Sequence, residues 1–226
     1  MRAAFHDQLD EISELLAEMA IAAGAAMNQA TQALLNADLT AAEAVISGDD
    51  HLDELTSEVE RRCYDAAALQ QPVATDLRIV IGSLRISSSL ERMGDLAVHV
   101  AKQARLRYPN SSIPNELRAP FARLGALADA ITAKTATVIT TKDLSLGPDI
   151  ERYDQEVDQL HRELFTIVLS PSWSHGVEAA IDATLLSRYY ERYADHAVSI
   201  ARRVLHVVTG EPYADTTLIA DTSIPG

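Results

Sequence analysis

The chain has 226 residues, 47% of them apolar, with only nine Gly and eight Pro and a formal net charge of −14. It is too apolar to be intrinsically disordered, and its acidity sets the average surface against the phosphates of nucleic acid. The single cysteine, Cys63, excludes an internal disulfide and a thiolate metal cage, and no run of 18 apolar residues is available to span a membrane.

Apolar residues recur at helical spacing, as at Leu9, Ile12, Leu16 and Met19, and alternating strand-like runs are absent. No apolar segment follows Arg2, so the amino terminus does not read as a secretory signal. A first helix is predicted over residues 4–36. Thr40-Ala41-Ala42-Glu43 reads as a capping box, with a hydroxyl and a carboxylate placed for the unpaired amides of a helix start. It opens a second helix lasting to residue 69. Pro72 bars continuation, and a third helix runs over 74–107. Pro109, Pro114 and Pro120 mark a connector at 108–116, and a fourth helix covers 117–141. Gly147-Pro148 begins a fifth, since proline suits a first helical turn. Pro171 and Gly176 separate it from a sixth over 177–209, ended by Gly210 and Pro212. Residues 210–226 read as a polar, disordered tail. Three of these helices exceed thirty residues, roughly 45 Å each at the α-helical rise. Long helices joined by short turns make bundles.

The connector divides the helices three and three, and the halves are related in sequence. Residues 87–101 and 187–201 share seven of fifteen positions: Ser87/Ser187, Glu91/Glu191, Arg92/Arg192, Asp95/Asp195, Ala97/Ala197, Val98/Val198 and Ala101/Ala201. Upstream, Asp49-x-x-x-Asp53-x-Leu55 matches Asp154-x-x-x-Asp158-x-Leu160. Two charged motifs in the same order mark a duplicated unit. The predicted fold is all-α, two tandem three-helix bundles at 1–107 and 117–209.

Residues four apart share a helix face, so Asp49/Asp53, Glu91/Asp95, Asp154/Asp158 and Glu191/Asp195 stack in pairs. In the third helix the core stripe is read as Leu77, Val80, Ile81, Leu84, Ser88, Glu91, Asp95 and Val98, which puts the acids in phase with the apolar residues. In the fifth, Asp154 shares phase with Ile150, Val157 and Leu164. Like charges brought out of water are costly unless paired, protonated or metal-bound. Oxygen donors facing each other across a bundle suit Mg, Ca or Mn, and with a nitrogen donor also Fe or Zn. His99 and His161 are the nearest such donors. The competing reading pairs the acids with Arg78, Arg92, Arg188 or Arg192.

Gln71-Pro72-Val73-Ala74-Thr75-Asp76-Leu77-Arg78 with Glu91-Arg92-Met93-Gly94-Asp95, and Glu191-Arg192-Tyr193-Ala194-Asp195-His196-Ala197 a hundred residues on, resemble the two repeat signatures of the PhoU family. The resemblance covers about 1–210. It implies two three-helix bundles with pseudo-twofold symmetry, and iron, zinc or another divalent ion (manganese, magnesium) at Asp49, Asp53, Glu91 and Asp95 and at Asp154, Asp158, Glu191 and Asp195. It also implies a cytoplasmic, often dimeric, negative regulator without catalytic activity. Such a protein acts between the ATPase subunit of a phosphate ABC transporter and a phosphate-sensing histidine kinase, reaching the membrane only through them. The second repeat departs from the pattern, with Ser170-Pro171-Ser172-Trp173 where the first has its Gln-Pro element. Two other readings compete: a di-metal carboxylate oxidase, whose E-x-x-H elements are missing here, and a metal-free helical scaffold.

Overall fold

The computed structural model describes residues 2–211. The tail expected at 210–226 lies, from Pro212 onward, outside the described residues. Every regular element among them is helical: α1 (Arg2–Asn36), α2 (Leu39–Ser47), α3 (Asp49–Gln70), α4 (Thr75–Arg107), α5 (Arg118–Thr141), α6 (Gly147–Val168) and α7 (Gly176–Thr209), with single 3-10 turns before α5 and α6.

Two details differ from the sequence reading. The second rod starts earlier, because Asp38 in extended conformation accepts from the Ala41 amide at 3.1 Å and so caps α2 at Leu39. Thr40 falls inside the first turn. That rod is also broken at Gly48, whose amide closes α2 on the Ala44 carbonyl. A fresh helix start then places Asp49 and Asp50 in the first turn of α3, where the positive end of the helix favours them.

Within each half three long helices pack on one another, α1 with α3 and α4, and α5 with α6 and α7. Two seams join the halves, α1 along α5 and α4 along α7, and one continuous apolar core passes through both. At the first seam the contacts are reciprocal. A Cβ added to Gly24 would meet Thr132 Cγ2 at 2.9 Å, and one added to Gly125 would meet Thr31 Cγ2 at 2.5 Å. Each threonine hydroxyl donates to its own helix, Thr31 to Met27 O and Thr132 to Ala128 O. Each also meets a buried tyrosine hydroxyl of α7, Tyr190 at 2.7 Å and Tyr193 at 2.8 Å. Burial of both phenols is thereby matched by hydrogen bonds.

The α4–α7 seam is antiparallel and closes differently at its two ends. At one, the Arg107 guanidinium grips the buried Asp182 through Nε at 2.6 Å and a second nitrogen at 3.0 Å, and also reaches Glu178. At the other, the positions equivalent by the repeat are Val207 and Gly82, where a Cβ on the glycine would come 2.6 Å from Val207 Cγ2. One end holds by charge and the other by close approach.

The core face of α4 is Val80, Ser83, Ser87, Leu90, Met93, Ala97, Ala101 and Ala104. This corrects the stripe read from the sequence: Leu77 and Ile81 are 40% and 46% exposed. Small residues, Ser83, Ser87, Ala97, Ala101 and Ala104, share that face with Val80, Leu90 and Met93 and let the helices approach closely, and hydropathy alone pointed one step around the helix.

Gly125→Ala should destabilise the protein by about 1–3 kcal/mol in denaturant unfolding, because Thr31 is locked by two hydrogen bonds and its methyl has nowhere to go. Thr31→Ser, which keeps the hydroxyl and removes that methyl, should recover part of the loss in the double variant. Equal stability of Gly125→Ala and the parent would contradict the seam.

Candidate functional site

The helix register brings four carboxylates together in each half. In the first, Asp49 and Asp53 open α3, and Glu91 and Asp95 lie midway along α4. Burial raises the Asp49 carboxyl above its ordinary range, and the charges of Asp53 and Asp95 raise it further. Burial raises Glu91 as well, with Asp95 and Asp53 contributing against the pull of Arg92. The four acids therefore lie within electrostatic reach of one another. Asp53 is exposed, and Asp95 is held by Arg92 at 2.8 Å. A cavity of about 40 Å³ beside Asp49 is lined by Gly48, His51, Leu52 and Gly94 among others.

The second cluster is drier. Asp154 of α6 shares a face with the buried Ile150, Val157 and Leu164, as its spacing required. Burial, then Asp158, Asp195 and Glu191, push its carboxyl up to about 7. Glu191 is raised by burial and by Asp195, against Arg188, which bonds one of its oxygens. Asp195, at the open rim, is raised by burial and by Asp158. Asp154 Oδ1 and Glu191 Oε2 are buried and have no hydrogen-bond partner. Two uncompensated acceptors of this kind, one from each helix of the pair, are uncommon in a native interior.

The arginine-pairing alternative is realised in part. Arg92 holds Asp95 and Arg188 holds Glu191, while Arg162 stands 3.8 Å from Asp158. Arg78 turns instead to Thr75 and the Val207 carbonyl. The histidines are committed elsewhere: His99 Nδ1 lies 2.6 Å from Asp95 O and its ring packs on Tyr189, and His161 Nδ1 meets Ser187 Oγ at 2.8 Å. Among the described residues no three or more His, Cys, Asp or Glu side chains converge at ligand spacing. The donor set of the second cluster nonetheless fits a cation: hard oxygens, mutual repulsion, and two orphaned lone-pair groups. Asp154, Glu191, Asp158 and Asp195 would hold it there, and Asp49, Asp53, Glu91 and Asp95 are their counterparts.

The two-fold repetition of the chain has a counterpart in known proteins. The family model for the PhoU domain matches residues 16–104 and again 121–204. This chain belongs to the PhoU family. It is 46% identical over 210 residues, 93% of this chain and 99% of the relative, to "Phosphate-specific transport system accessory protein PhoU homolog 2" of Mycobacterium tuberculosis. It is 44% identical over 218 residues, 96% of this chain and 98% of the relative, to PhoU homolog 1 of Mycobacterium leprae. The crystal structure of the phosphate transport system regulatory protein PhoU from Streptococcus pneumoniae superimposes with a TM-score of 0.84 at 25% identity, covering 94% of this chain and all of that one. PhoU from Pseudomonas aeruginosa gives 0.80 at 25% identity, over 92% of this chain and all of that one. The two tandem PhoU matches fall on α1–α4 and α5–α7, so each repeat carries one cluster.

Sequence reasoning missed the Arg107–Asp182 clamp and the tyrosine–threonine bonds of the seam. The structure adds Gly24 with Gly125 and Thr31 with Thr132 to the matched positions of the repeats, and nothing in composition says that two helices meet there.

Asp154, Glu191 and Asp195 are all raised on folding, so the native state binds more protons than the unfolded chain between about pH 4 and about pH 7. Their contribution is free of penalty below that window and becomes destabilising as pH rises through it. Asp149, lowered by Lys134 and Arg152, works in the opposite sense, so the difference between variants is what counts. Relative to the parent, Asp154→Asn should gain melting temperature as pH is raised from about 5 to about 7.5 in chelator. A constant difference across that range would contradict it.

Proposed function

We propose that this chain is a cytoplasmic accessory protein of a phosphate-specific transport system and a negative regulator of phosphate uptake. In this reading it works as a homodimer, restraining the transporter through its ATPase subunit and the phosphate-starvation response through a sensor histidine kinase. The observation that carries the reading is end-to-end similarity, 46% over 93% of this chain, to a protein named for that accessory role. No helix among the described residues is long and apolar enough to cross a membrane, which is consistent with contact to a transporter through its other subunits. The part played is binding rather than catalysis: relatives are named accessory proteins, and the chain has no E-x-x-H element of the kind a di-metal oxidase uses.

The same proposal includes divalent cations at the acidic clusters, the second cluster first. A bound cation would supply the positive charge that removes the repulsion among Asp154, Asp158, Glu191 and Asp195. The residues themselves present oxygens from two helices, so occupancy would tie α6 to α7 and fix the surface they share. Binding confined to the folded state raises stability by mass action, about 2.7 kcal/mol at a hundredfold excess over Kd.

A strain lacking this gene should take up phosphate and express starvation genes even in high phosphate, and the wild-type chain should restore repression. At matched protein levels, the double variant Asp154→Asn/Glu191→Gln should restore less than half of it. If the wild-type chain leaves uptake derepressed, the regulatory reading fails. If the double variant represses fully, the clusters have no regulatory part.

A further inference from the structure

The second acidic cluster has a cation of its own built into the fold. Arg202 stands seven residues beyond Asp195 on α7, two turns along the same helix face. Burial and then the charges of Asp158, Asp195 and Glu191 raise the Asp154 carboxyl, and Arg202 pulls it back. The first repeat has the same arrangement. Lys102 stands seven residues beyond Asp95 on α4, and it pulls Asp49 down against burial, Asp53 and Asp95. A positive charge thus recurs at one place in the repeat, each time acting on the leading aspartate of its cluster.

The two cations are held differently. An Arg202 guanidinium nitrogen donates to Glu151 Oε1 at 3.3 Å, and Glu151, three residues before Asp154 on α6, is only 7% exposed. By the shift that matches Asp154 to Asp49, the place of Glu151 in the first repeat is taken by Ile46, and Lys102 there is exposed. The Nε of Arg202 is buried without a hydrogen-bond partner, as are Asp154 Oδ1 and Glu191 Oε2. One unmatched donor and two unmatched acceptors therefore share the α6–α7 interface without bonding one another. Glu151 keeps the guanidinium from closing on the cluster.

We propose that Arg202, held on Glu151, is the resident counter-charge of the second acidic cluster and sets how tightly that cluster takes a divalent cation, with Lys102 in the same part at the first. The charge of Arg202 relieves part of the repulsion among the four carboxylates, and it opposes a further positive charge placed among them. Glu151 sets the balance, because it keeps the guanidinium near enough to act through space and off the oxygens a cation would use. The affinity part rests on cation binding at the cluster, and the counter-charge part does not.

The first measurement takes the full chain in chelator near neutral pH. Arg202→Met, which keeps the apolar stem and loses the charge, should lower the melting temperature. Asp154→Asn should then raise it by more in the Arg202→Met chain than in the parent, because the charge it removes is no longer opposed. Equal effects in the two backgrounds overturn the proposal. The second measurement titrates manganese into the full chain by calorimetry, with Asp49→Asn and Glu91→Gln present throughout so that one cluster is read. Arg202→Met should tighten binding about tenfold, and Arg202→Lys, which keeps the charge, should bind like the background chain. Glu151→Gln, which frees the guanidinium to close on Asp154, should weaken binding. A merely structural role would move Arg202→Met and Glu151→Gln in the same direction. Unchanged or weaker binding by Arg202→Met overturns the proposal and leaves the cation reading standing. Manganese bound by none of these chains overturns the cation reading and the affinity part with it, and the chelator comparison decides the counter-charge part.

Discussion

The seam between the repeats fixes everything else. α1 and α5 approach through Gly24 against Thr132 and Gly125 against Thr31, and the same threonines receive the tyrosine hydroxyls of α7. That arrangement sets how α7 lies on the α1–α5 pair, and with it the antiparallel crossing of α4 and α7. Because the crossing is fixed, Glu91 and Asp95 face the start of α3, and Glu191 and Asp195 face α6. The acidic clusters are consequences of helix packing, placed at the margins where each repeat closes.

Much of this is legible in the sequence. Proline and glycine punctuation marked the long helices, since a residue that cannot donate is confined to a first turn, as Pro148 is, and one that adopts left-handed backbone ends a helix, as Gly210 does. The duplication showed in charged residues, which repeat less by chance than alanine and leucine do. The register of α4 was misread because its buried face mixes Val80, Leu90 and Met93 with small residues, Ser83, Ser87, Ala97 and Ala101, which carry little hydropathy signal and which helices use where they come closest. The start of α2 was misplaced because Asp38 and Thr40 both have capping chemistry, and only backbone conformation decides between them. The Arg107–Asp182 clamp joins residues far apart in the chain, and its repeat counterpart, Val207 against Gly82, has no charge to suggest it.

The two clusters have diverged in how they meet the same electrostatic problem. In the first, Asp95 is paired with Arg92 and Asp53 reaches water, and the charges of both still raise Asp49 and Glu91. In the second, burial is deeper and the arginines satisfy only part of the set. Asp154 is pushed toward neutrality, and one oxygen on each side of the α6–α7 interface lacks a partner. Protonation and a divalent cation are the two ways to resolve that, and they compete. As pH rises toward neutrality proton binding weakens while carboxylate affinity for any hard ion grows.

The direct measurement is anomalous diffraction from crystals of the full chain equilibrated with manganese. The account predicts a peak between α6 and α7 with Asp154 and Glu191 as ligands. Crystals showing no peak there, with both orphaned oxygens bonded only to water or protein, would contradict it.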